Sequence, residues 1–479
     1  MKNYFHNFMI LFNYKKYLFS YLFIFLFFFF YYSKSFSDQH NDLQWKTSAG
    51  NNYSHRFFSG NQINKNNIKY LSKLWTFNSG STSKSQTVQS PPIFIGDQLL
   101  LVTLAGELVS LSPTNGKLLW KKKLDKPLGA RGFTYHESKD ADIRGIYIAS
   151  GKKIIQLNKE GIVKNYFLTE TSLLQTFLDE KNLYVATLKK GVQAFDLKTK
   201  NKIWSTSLFK NNVNARVWSG FSFDKETNSL FIVTSNPGGI VGENRSGDDF
   251  SASLIALDTN TGKIKWQYKH IVNDLWDFDL ISNPIVIKNL NLTHRNKPVD
   301  CVIALSKTGD VIMVNIDNGL PVFEDSYIDV AVPKSDMKNV HTPKTQKFYL
   351  KPEKFSSIEI NFDKDFSHLE EDNLIYVKNK LRHAKSGFFI PTSVNHDVIL
   401  YGLHGGAEWP GATLYKDKDS ANLIIPSNKT PWILRINFQD KKYLKILNNS
   451  YYNKTFNFAR STKDFFTNLF KKTQKEKNI

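Results

Sequence analysis

Short apolar runs separated by polar turns dominate the chain after residue 40, and helical periodicity of 3.6 residues is scarce before the C-terminal tail. These runs are rich in Ile, Val, Leu and Phe, a composition that favours strands. One unit recurs: a short strand, a turn rich in Asp, Asn, Thr and Gly, and a second strand that ends in an aromatic residue. The pattern predicts an all-β fold built from repeats.

Five copies of this unit are visible. They lie at 111–117 leading to Trp120, 155–161 leading to Tyr166, 195–200 leading to Trp204, 256–263 leading to Trp266 and 314–319 leading to Phe323. In such a turn Asp accepts backbone hydrogen bonds and Gly adopts a positive φ, so each copy predicts the outer hairpin of a β-propeller blade. One blade cannot bury both faces alone, and the aromatic is expected to dock between blades. With one copy per roughly 40–60 residues, about six blade-like units are expected.

An apolar segment precedes the repeats. Lys15 and Lys16 stand before a nearly unbroken aromatic and aliphatic run over 17–32, and Ser-Phe-Ser follows at 35–37. This arrangement predicts a secretory signal or an uncleaved membrane anchor over 1–37, and hence an exported chain. A bacterial periplasm is the compartment we expect, because disulfides are permitted there without being required.

Composition narrows the class further. The 479 residues are 41% hydrophobic, which is typical of a globular chain. The single cysteine, Cys301, excludes an intrachain disulfide, a CxxC metal knuckle and a CxxCH haem attachment signal. The net charge is +21, but the lysines are scattered and no arginine-rich stripe interleaves with aromatics, so no nucleic-acid partner is predicted.

The predicted propeller covers 38–438, and a basic tail follows over 439–479. Within the tail, 462–470 has the pattern of a short amphipathic helix that would contact a membrane or a partner. A solvated, partly disordered tail is the alternative.

The most distinctive stretch is 253–284, SLIALDTNTGKIKWQYKHIVNDLWDFDLISNP, in which a turn repeat runs directly into Asp274-Leu275-Trp276-Asp277-Phe278-Asp279. From about Trp45 to Trp432 the chain resembles the pyrroloquinoline quinone (PQQ)-dependent alcohol and sugar dehydrogenases, especially the membrane-associated glucose, quinate and polyol type. The resemblance implies an enzyme that oxidises an alcohol, polyol or sugar by hydride transfer to PQQ beside a divalent cation, calcium or magnesium. The electrons would pass to a quinone or a cytochrome.

The resemblance also implies roles for individual residues. Asp277 would be the base that takes the hydroxyl proton and a neighbour of the metal, and Asn236 would offer the metal an amide oxygen. Lys307, in Ser-Lys-Thr-Gly-Asp, would hydrogen-bond the quinone and stabilise charge on the reduced cofactor. The structural alternatives are a turn Asp, a turn Asn and a solvated Lys.

Five further residues match cofactor contacts of the family. Arg131 and His136 lie in Arg-Gly-Phe-Thr-Tyr-His-Glu, where the histidine would cover one face of PQQ. Trp218 would be the aromatic floor on which PQQ stacks. Trp409 and Asn428 belong to late segments that would close over the site. Packing between or within blades is the alternative for His136 and Trp218.

The chain departs from the family pattern in three ways. Asn273 replaces a usual histidine, which is expected to disturb the Asp277 loop, and 179–196 has no match to the acidic metal ligand of methanol-type members. The further repeats of an eight-bladed ring do not follow Trp432. Three alternatives remain: about six blades close alone, a second chain completes the ring, or the product is a truncated remnant. The competing function is a non-catalytic binding or assembly scaffold of the cell envelope, which the truncation and Asn273 favour, or one part of a split dehydrogenase.

Overall fold

The structure is a computed structural model. It describes residues 44–80, 89–125, 132–169, 173–187, 191–209, 215–238, 250–293, 295–337, 340–356, 360–402, 406–416 and 420–436. The predicted export segment (1–37) and basic tail (439–479) lie outside these ranges.

Four antiparallel sheets of four strands follow one another along the chain, each in sequential strand order. Blade 1 contains β1 (Ile93–Phe94), β2 (Leu99–Val102), β3 (Glu107–Leu111) and β4 (Leu118–Lys123); blade 2 contains β5 (Thr134–His136), β6 (Gly145–Ser150), β7 (Lys153–Leu157) and β8 (Val163–Leu168). Blade 3 contains β9 (Leu173–Leu178), β10 (Asn182–Thr187), β11 (Gly191–Asp196) and β12 (Lys202–Thr206); blade 4 contains β13 (Ser222–Asp224), β14 (Ser229–Val233), β15 (Ser253–Asp258) and β16 (Ile264–Lys269).

Blade 5 has three strands, and shorter ladders follow it. Its strands are β17 (Ile285–Leu290), β18 (Val299–Leu305) and β19 (Val311–Asn315). The two-stranded ladders pair β20 (Tyr327–Ala331) with β21 (Thr345–Tyr349), β22 (Val398–Leu400) with β27 (Trp432–Leu434), β23 (Gly406–Ala407) with β26 (Ser427–Asn428), and β24 (Thr413–Lys416) with β25 (Ala421–Ile424). The all-β propeller prediction is confirmed, with five sheets of three or more strands among the described residues.

Two helices interrupt the late strands, which the apolar pattern does not predict. They are α1 (Phe362–Asp365) and α2 (Glu371–Leu381), and a single 3-10 turn lies earlier at Ile68–Tyr70. None of the helices formed by the described residues is long and apolar enough to cross a membrane.

Burial follows the radial order of the strands. All residues of β6 are buried, whereas the outermost strand β4 is mostly exposed or half-buried. Middle strands are covered on both faces by the neighbouring blades, and β-branched and aromatic side chains fill those faces well. The hydrophobic core is therefore a series of layers between blades, as in the cluster that joins Tyr184 and Trp204 of blade 3 to Leu230 of blade 4.

Tryptophans of blades 1, 3 and 4, and Trp75, dock on the turn of a neighbouring blade, as the repeats predict. Each indole Nε1 donates to a turn carbonyl: Trp75 to Pro113 (2.9 Å), Trp120 to Lys159 (2.7 Å), Trp204 to Thr259 (2.8 Å) and Trp266 to Ile316 (2.9 Å). At the last of these contacts, Gly319 has φ 70°, and a Cβ there would lie 2.6 Å from the Trp266 ring. The docking predicted from the repeats is thus confirmed for Trp120, Trp204 and Trp266, whereas Tyr166 is 49% exposed.

One segment connects the inner edges of the sheets. Residues 45–56, here called the hub segment, bond to the first strands of four blades and to β24. The pairs are Trp45 with Phe94, Thr47 with Thr134, Asn52 with Phe223, Tyr53 with Val286 and His55 with Leu414. The hub segment satisfies inner-strand backbone groups that face the propeller axis.

Candidate functional site

Four loops bring the predicted catalytic residues to one rim of the propeller. Trp218 precedes β13, Asn236 lies between β14 and β15, Asp277 precedes β17, and Lys307 lies between β18 and β19. Neighbouring strands in a blade are antiparallel. The loop before the first strand therefore lies at the same end of the blade as the loop that joins the second strand to the third. This end, defined by 215–220, 234–238, 270–284 and 306–310, is called the upper rim.

Lys307 is at the centre of the upper-rim cluster. Its Nζ lies 2.9 Å from Asp277 Oδ2 and 2.9 Å from Asp279 Oδ1. The Lys307 and Asp279 side chains are almost fully buried, whereas 25% of the Asp277 side chain is exposed. Asp277 is therefore the carboxylate of this pair that a molecule from solvent can reach.

Burial and charge compete in this cluster. Desolvation raises the pKa of Asp279 to about 7, although the Lys307 ammonium opposes the shift. Desolvation acts to lower the pKa of Lys307, but Asp277 and Asp279 outweigh it and raise that pKa above its usual value. Lys307 is thus held as a cation in a buried place.

Asn236 orients both carboxylates. Its side-chain Nδ2 donates to Asp277 Oδ1, and its backbone N–H donates to Asp279 Oδ2 at 3.1 Å. The Asn236 Oδ1 atom in turn accepts the backbone N–H of Gly238 at 3.0 Å. The predicted metal ligands Asn236 and Asp277 are therefore neighbours, joined by a hydrogen bond.

This arrangement does not fit a divalent cation. Both Asp277 oxygens have donors next to them, and Asn236 presents its nitrogen, which cannot ligate a hard cation. Across the part of the chain that the structure describes, no group of three or more His, Cys, Asp or Glu is arranged to hold a metal ion.

The loop that carries Asp277 is fixed from both sides. Asp274 Oδ1 accepts the backbone N–H groups of Trp276 (3.0 Å) and Phe278 (3.1 Å). The Trp276 indole is fully buried, stacks near Phe278 and donates to the Ile390 carbonyl at 2.9 Å. The loop alternates buried aromatics with carboxylates, which turns Asp277 and Asp279 toward Lys307.

Asn273, the departure from the family pattern, has a place in this loop. It adopts φ 49°, in the left-handed region that Asn tolerates better than most residues, and its Nδ2 donates to the His341 carbonyl. Asp277 also has a positive φ, 64°. The substitution is accommodated by backbone conformation and by a bond to the segment before β21.

Trp218 lies beside the cluster. The Lys307 Nζ is 5.5 Å from the centre of the Trp218 ring, within the range of a cation–π contact. The indole Nε1 donates to the Leu280 carbonyl at 3.1 Å, which ties the ring to the same loop as Asp277. The half-buried indole is a rigid aromatic surface next to a buried cation.

The late segments also approach Lys307. Ala407 N–H donates to the Ser306 carbonyl at 3.2 Å, and a Cβ at Gly406 would lie 2.2 Å from the Lys307 carbonyl oxygen. Across the β23–β26 pair, Asn428 Nδ2 donates to Glu408 Oε1. Gly406 thus allows the strand before Trp409 to lie directly against the Lys307 backbone.

Trp409 belongs to the same neighbourhood. Trp218 and Trp409 are both partly buried and pack against one hydrophobic cluster, which includes Ile281 and Ala407. The structure therefore brings Trp218, Asn236, Asp277, Lys307 and Trp409 into one region of the upper rim, with Asn428 across the ladder from Gly406.

His136 lies at the other end of its blade. It is the last residue of β5 and pairs with Gly145 at the start of β6, so it belongs to a connection between first and second strands. Its ring contacts Tyr147, with centres 6.5 Å apart, and burial lowers its pKa, opposed chiefly by Asp179. The structure does not bring His136 to the Lys307 cluster, and Arg131 lies outside the described residues.

Asp279 and Glu408 are site residues that the sequence argument missed. Asp279 ion-pairs with Lys307, and Glu408 bonds Asn428. The spacing of Asp277 and Asp279, two residues apart around Phe278, was the available signal for Asp279. It indicates that two carboxylates flank one buried aromatic.

The family follows from comparison with known proteins. Residues 45–167 and 192–473 match the family described as "PQQ: Glucose/ethanol/alcohol dehydrogenase, beta-propeller domain". The match covers most of the chain, and the chain belongs to this family of PQQ-dependent dehydrogenase propellers.

Individual relatives are distant. The quinoprotein glucose dehydrogenase of Escherichia coli is 22% identical over 456 residues, covering 79% of this chain and 55% of the relative. The quinate/shikimate dehydrogenase (quinone) of Acinetobacter baylyi is 23% identical over 366 residues, covering 61% and 45%. The chain therefore spans about half the length of the curated relatives it matches.

A solved structure shares the fold. A quinohemoprotein alcohol dehydrogenase from Pseudomonas putida HK5 superposes with a TM-score of 0.58 at 15% identity, covering 83% of this chain and 59% of that chain. At this identity the likeness supports the propeller architecture alone.

Proposed function

We propose that this chain is the propeller of a quinoprotein dehydrogenase that oxidises an alcohol, polyol or sugar, with Asp277 as the base. The observation that carries the proposal is the Asp277–Lys307–Asp279 cluster, in which a buried cation lies between a reachable carboxylate and a buried one. A blade turn that served packing alone would not need to bury a lysine.

The side chains have distinct tasks in this proposal. PQQ, when bound, supplies a quinone that accepts a hydride. Lys307 provides fixed positive charge for a cofactor oxygen, and Trp218 provides an aromatic face for its ring. Asp277 accepts the hydroxyl proton of the substrate at its carboxylate, which Asn236 holds in place.

Asp279 has a positioning role in this scheme. It holds the Lys307 ammonium from the buried side at 2.9 Å, so Lys307 keeps a counter-ion when Asp277 becomes protonated. The charge on Lys307 then does not depend on Asp277 alone.

The test is a titration of the exported chain with PQQ, followed by tryptophan fluorescence. We expect saturable one-to-one quenching that is lost in Lys307→Ala. Lys288→Ala is the matched control, because Lys288 is also largely buried and bonds Glu226 (2.8 Å) and Asp300 (2.7 Å), away from the upper rim. Equal quenching in both folded variants, or none in the wild type, would sink the proposal.

Electron transfer, export and membrane contact extend the same proposal. We infer that electrons leave to a quinone or a cytochrome, and that residues 1–37 direct the chain to the periplasm, cleaved or as an anchor. The tail after residue 438 would touch the membrane surface. Fractionation of cells that express the full chain, with N-terminal sequencing of the product, tests export; a cytoplasmic product that retains residue 1 contradicts it.

A second candidate is one part of a split dehydrogenase, which is active only when another chain contributes blade strands. Trp75 favours it: this indole docks on the turn of blade 1 as the tryptophans of the fourth strands dock elsewhere, yet residues 71–80 form no strand. Nearby Leu71 and Leu74 are 60% and 77% exposed. We propose that strands from a second chain lie beside 71–80, which light scattering of the purified chain with and without a candidate partner would test. A chain that is monomeric and active alone would contradict it.

A further inference from the structure

The β20–β21 hairpin lies against the chain that leads from β16 into the loop of Asp277. Lys347 Nζ donates to the Lys269 carbonyl at 2.7 Å, and the Tyr349 hydroxyl lies 3.2 Å from His270 Nδ1. Blade 4 already holds the residues that these two side chains reach. Lys269 is paired with β15, and the His270 N–H donates to the carbonyl just before β15 at 3.0 Å. These two contacts therefore fasten the hairpin to the blade and leave the loop beyond it undefined.

Gln346, on the same strand of the hairpin, reaches further along the chain. Its Oε1 accepts the Val272 N–H at 3.0 Å, and its Nε2 donates to the Val272 carbonyl. Gln346 is 2% exposed, whereas Val272 is 45% exposed and lies in a bend rather than a strand. One side-chain amide thus bonds both backbone groups of one residue, as a facing residue in an antiparallel pair does. The position of residue 272 is therefore set by Gln346 and not by burial of its own side chain.

The backbone after Val272 adopts unfavourable angles. Asn273 follows it directly with φ 49°, and Asp277 has φ 64°. Residues with a Cβ keep such angles only where the surrounding structure holds them. Asp274 supplies one restraint, because its Oδ1 accepts two backbone N–H groups of the loop, and Gln346 supplies another at the residue before Asn273. The direction in which the loop leaves blade 4 therefore depends on Gln346.

We propose that Gln346 is a positioning residue for Asp277, acting through the backbone of Val272. The loop that it anchors places Asp277 Oδ2 2.9 Å from Lys307 Nζ. This role rests on the proposed function, in which Asp277 is the base, whereas the ion pair itself is formed by the protein alone. A displacement of about one ångström is enough to slow proton transfer strongly, because a base acts only within hydrogen-bond reach of its proton.

The test measures how strongly Asp277 and Lys307 are coupled, with and without Gln346. A double-mutant cycle of Asp277→Asn and Lys307→Met, read from unfolding equilibrium constants in urea, gives the coupling factor of the pair. The cycle is measured in the wild type and again in Gln346→Met, which keeps the length of the side chain and removes its amide. We expect the coupling factor to fall by about fivefold or more in Gln346→Met, since an ion pair weakens when its geometry is lost. An unchanged factor would overturn the proposal.

Native-state hydrogen exchange gives a second readout, which does not require the Lys307 variants to fold. In Gln346→Met the amide hydrogens of 272–278 should exchange about tenfold faster or more, while those of β15 keep the wild-type rate, because only the loop has lost its anchor. Equal acceleration in both segments would mean that Gln346 merely stabilises blade 4, and would refute the positioning role.

Tyr349→Phe is the matched control. It removes a buried hydroxyl from the same strand, 3.2 Å from His270 Nδ1, and leaves Gln346 in place. It should lower the stability of the protein but leave the coupling of Asp277 with Lys307, and the exchange of 272–278, at wild-type values. A loss of coupling as large as in Gln346→Met would assign the effect to the whole hairpin and contradict a specific role for residue 346.

Turnover connects this role with catalysis. In a chain that binds PQQ, the rate is measured at saturating cofactor with an artificial electron acceptor and with glucose, glycerol and quinate as probe substrates. For a substrate that the wild type oxidises, Gln346→Met should lower kcat by about tenfold or more with KM nearly unchanged, since the base acts in the transition state. A wild-type kcat in this variant would overturn the proposal. If the wild type fails to bind PQQ, the proposed function fails, and the coupling and exchange measurements, which need no cofactor, still decide the role of Gln346.

Discussion

Lys307 Nζ lies 2.9 Å from Asp277 Oδ2, so the residue proposed to hold cofactor charge is ion-paired with the residue proposed to take the substrate proton. Asp279 joins them in a cluster of three, because its Oδ1 is also 2.9 Å from the Lys307 ammonium. Asp277 is partly exposed and can meet a molecule from solvent, whereas Asp279 is almost fully buried and supports the Lys307 ammonium.

Removal of Lys307 should destabilise the fold. Lys307→Met leaves the buried Asp279 without its cation, and loss of one partner from a buried pair costs about 3–5 kcal/mol. The free energy of unfolding, measured with urea, checks the value. The double variant Lys307→Met/Asp279→Asn should recover part of the loss; a double variant as unstable as the sum of both single ones would show that the pair is not coupled.

Asp279 should give the protein a pH dependence of known sign. Its pKa is raised from 3.8 to about 7, so the folded state binds more protons than the unfolded state between these values. This residue's contribution to stability is present below about pH 4 and is lost as pH rises through 7, by an amount on the order of a few kcal/mol.

The measurement is the difference in urea stability between wild type and Asp279→Asn at pH 4.5 and at pH 7.5. We expect the variant to gain relative to the wild type at the higher pH, where the wild type must bury a charge. A difference that does not change with pH would show that Asp279 titrates at its ordinary value when folded.

The contact between Trp266 and Gly319 should tolerate no side chain. Gly319→Ala combines a left-handed φ of 70° with a Cβ 2.6 Å from the indole, for a loss of about 2–4 kcal/mol. Gly96→Ala is the matched control, since Gly96 has φ 87° but open space around it, and should lose only about 1 kcal/mol. If both variants lost the same free energy of unfolding, measured with urea, the contact between Trp266 and residue 319 would accommodate a methyl group without loss of stability.

Asn273 should be replaceable by glycine but not by valine. Its φ of 49° suits Gly, whereas a β-branched residue there is strained by about 1–3 kcal/mol. Because Asp277 follows in the same loop, Asn273→Val should also lower the affinity for PQQ that the fluorescence titration measures. Wild-type PQQ affinity in a folded Asn273→Val protein would show that this conformation does not matter to the site.

The Cys301 thiol should be inert in the native protein. It is fully buried in β18, and burial raises its pKa to about 12, which suppresses the reactive thiolate. A thiol reagent should label it only in denaturant, in step with unfolding of blade 5. Rapid labelling of the native chain would indicate that blade 5 opens by itself.

The sequence predicted the blades because each hairpin is encoded locally. In the repeat at 256–263, Asp258 Oδ1 accepts the N–H groups of Asn260 (3.1 Å) and Thr261 (2.8 Å), and such bonds need only residues two and three positions away. The docking of Trp266 could be anticipated for the same reason, since the apolar ring follows every such turn.

Features set by distant packing were not predictable in this way. α2 has a weakly amphipathic, charged sequence and buries only Leu381, so no apolar stripe indicates it. The role of Asp279 depends on a lysine from the later loop between β18 and β19, and the rim on which His136 lies depends on strand direction. A motif match identifies a residue type, but it does not show which distant residues contact that residue in the fold.

The hub segment is synthesised early, but it completes its contacts only late in folding. Thr413 Oγ1 donates to the Arg56 carbonyl at 3.2 Å across 357 residues, so a segment made early finds its last partner only when the late strands exist. Contacts this distant in sequence slow folding, because a long loop must close before they form. Residues 45–56 therefore lack some of their partners until nearly the whole propeller has assembled. Until then their unpaired backbone groups are exposed, and aggregation competes with the final folding step.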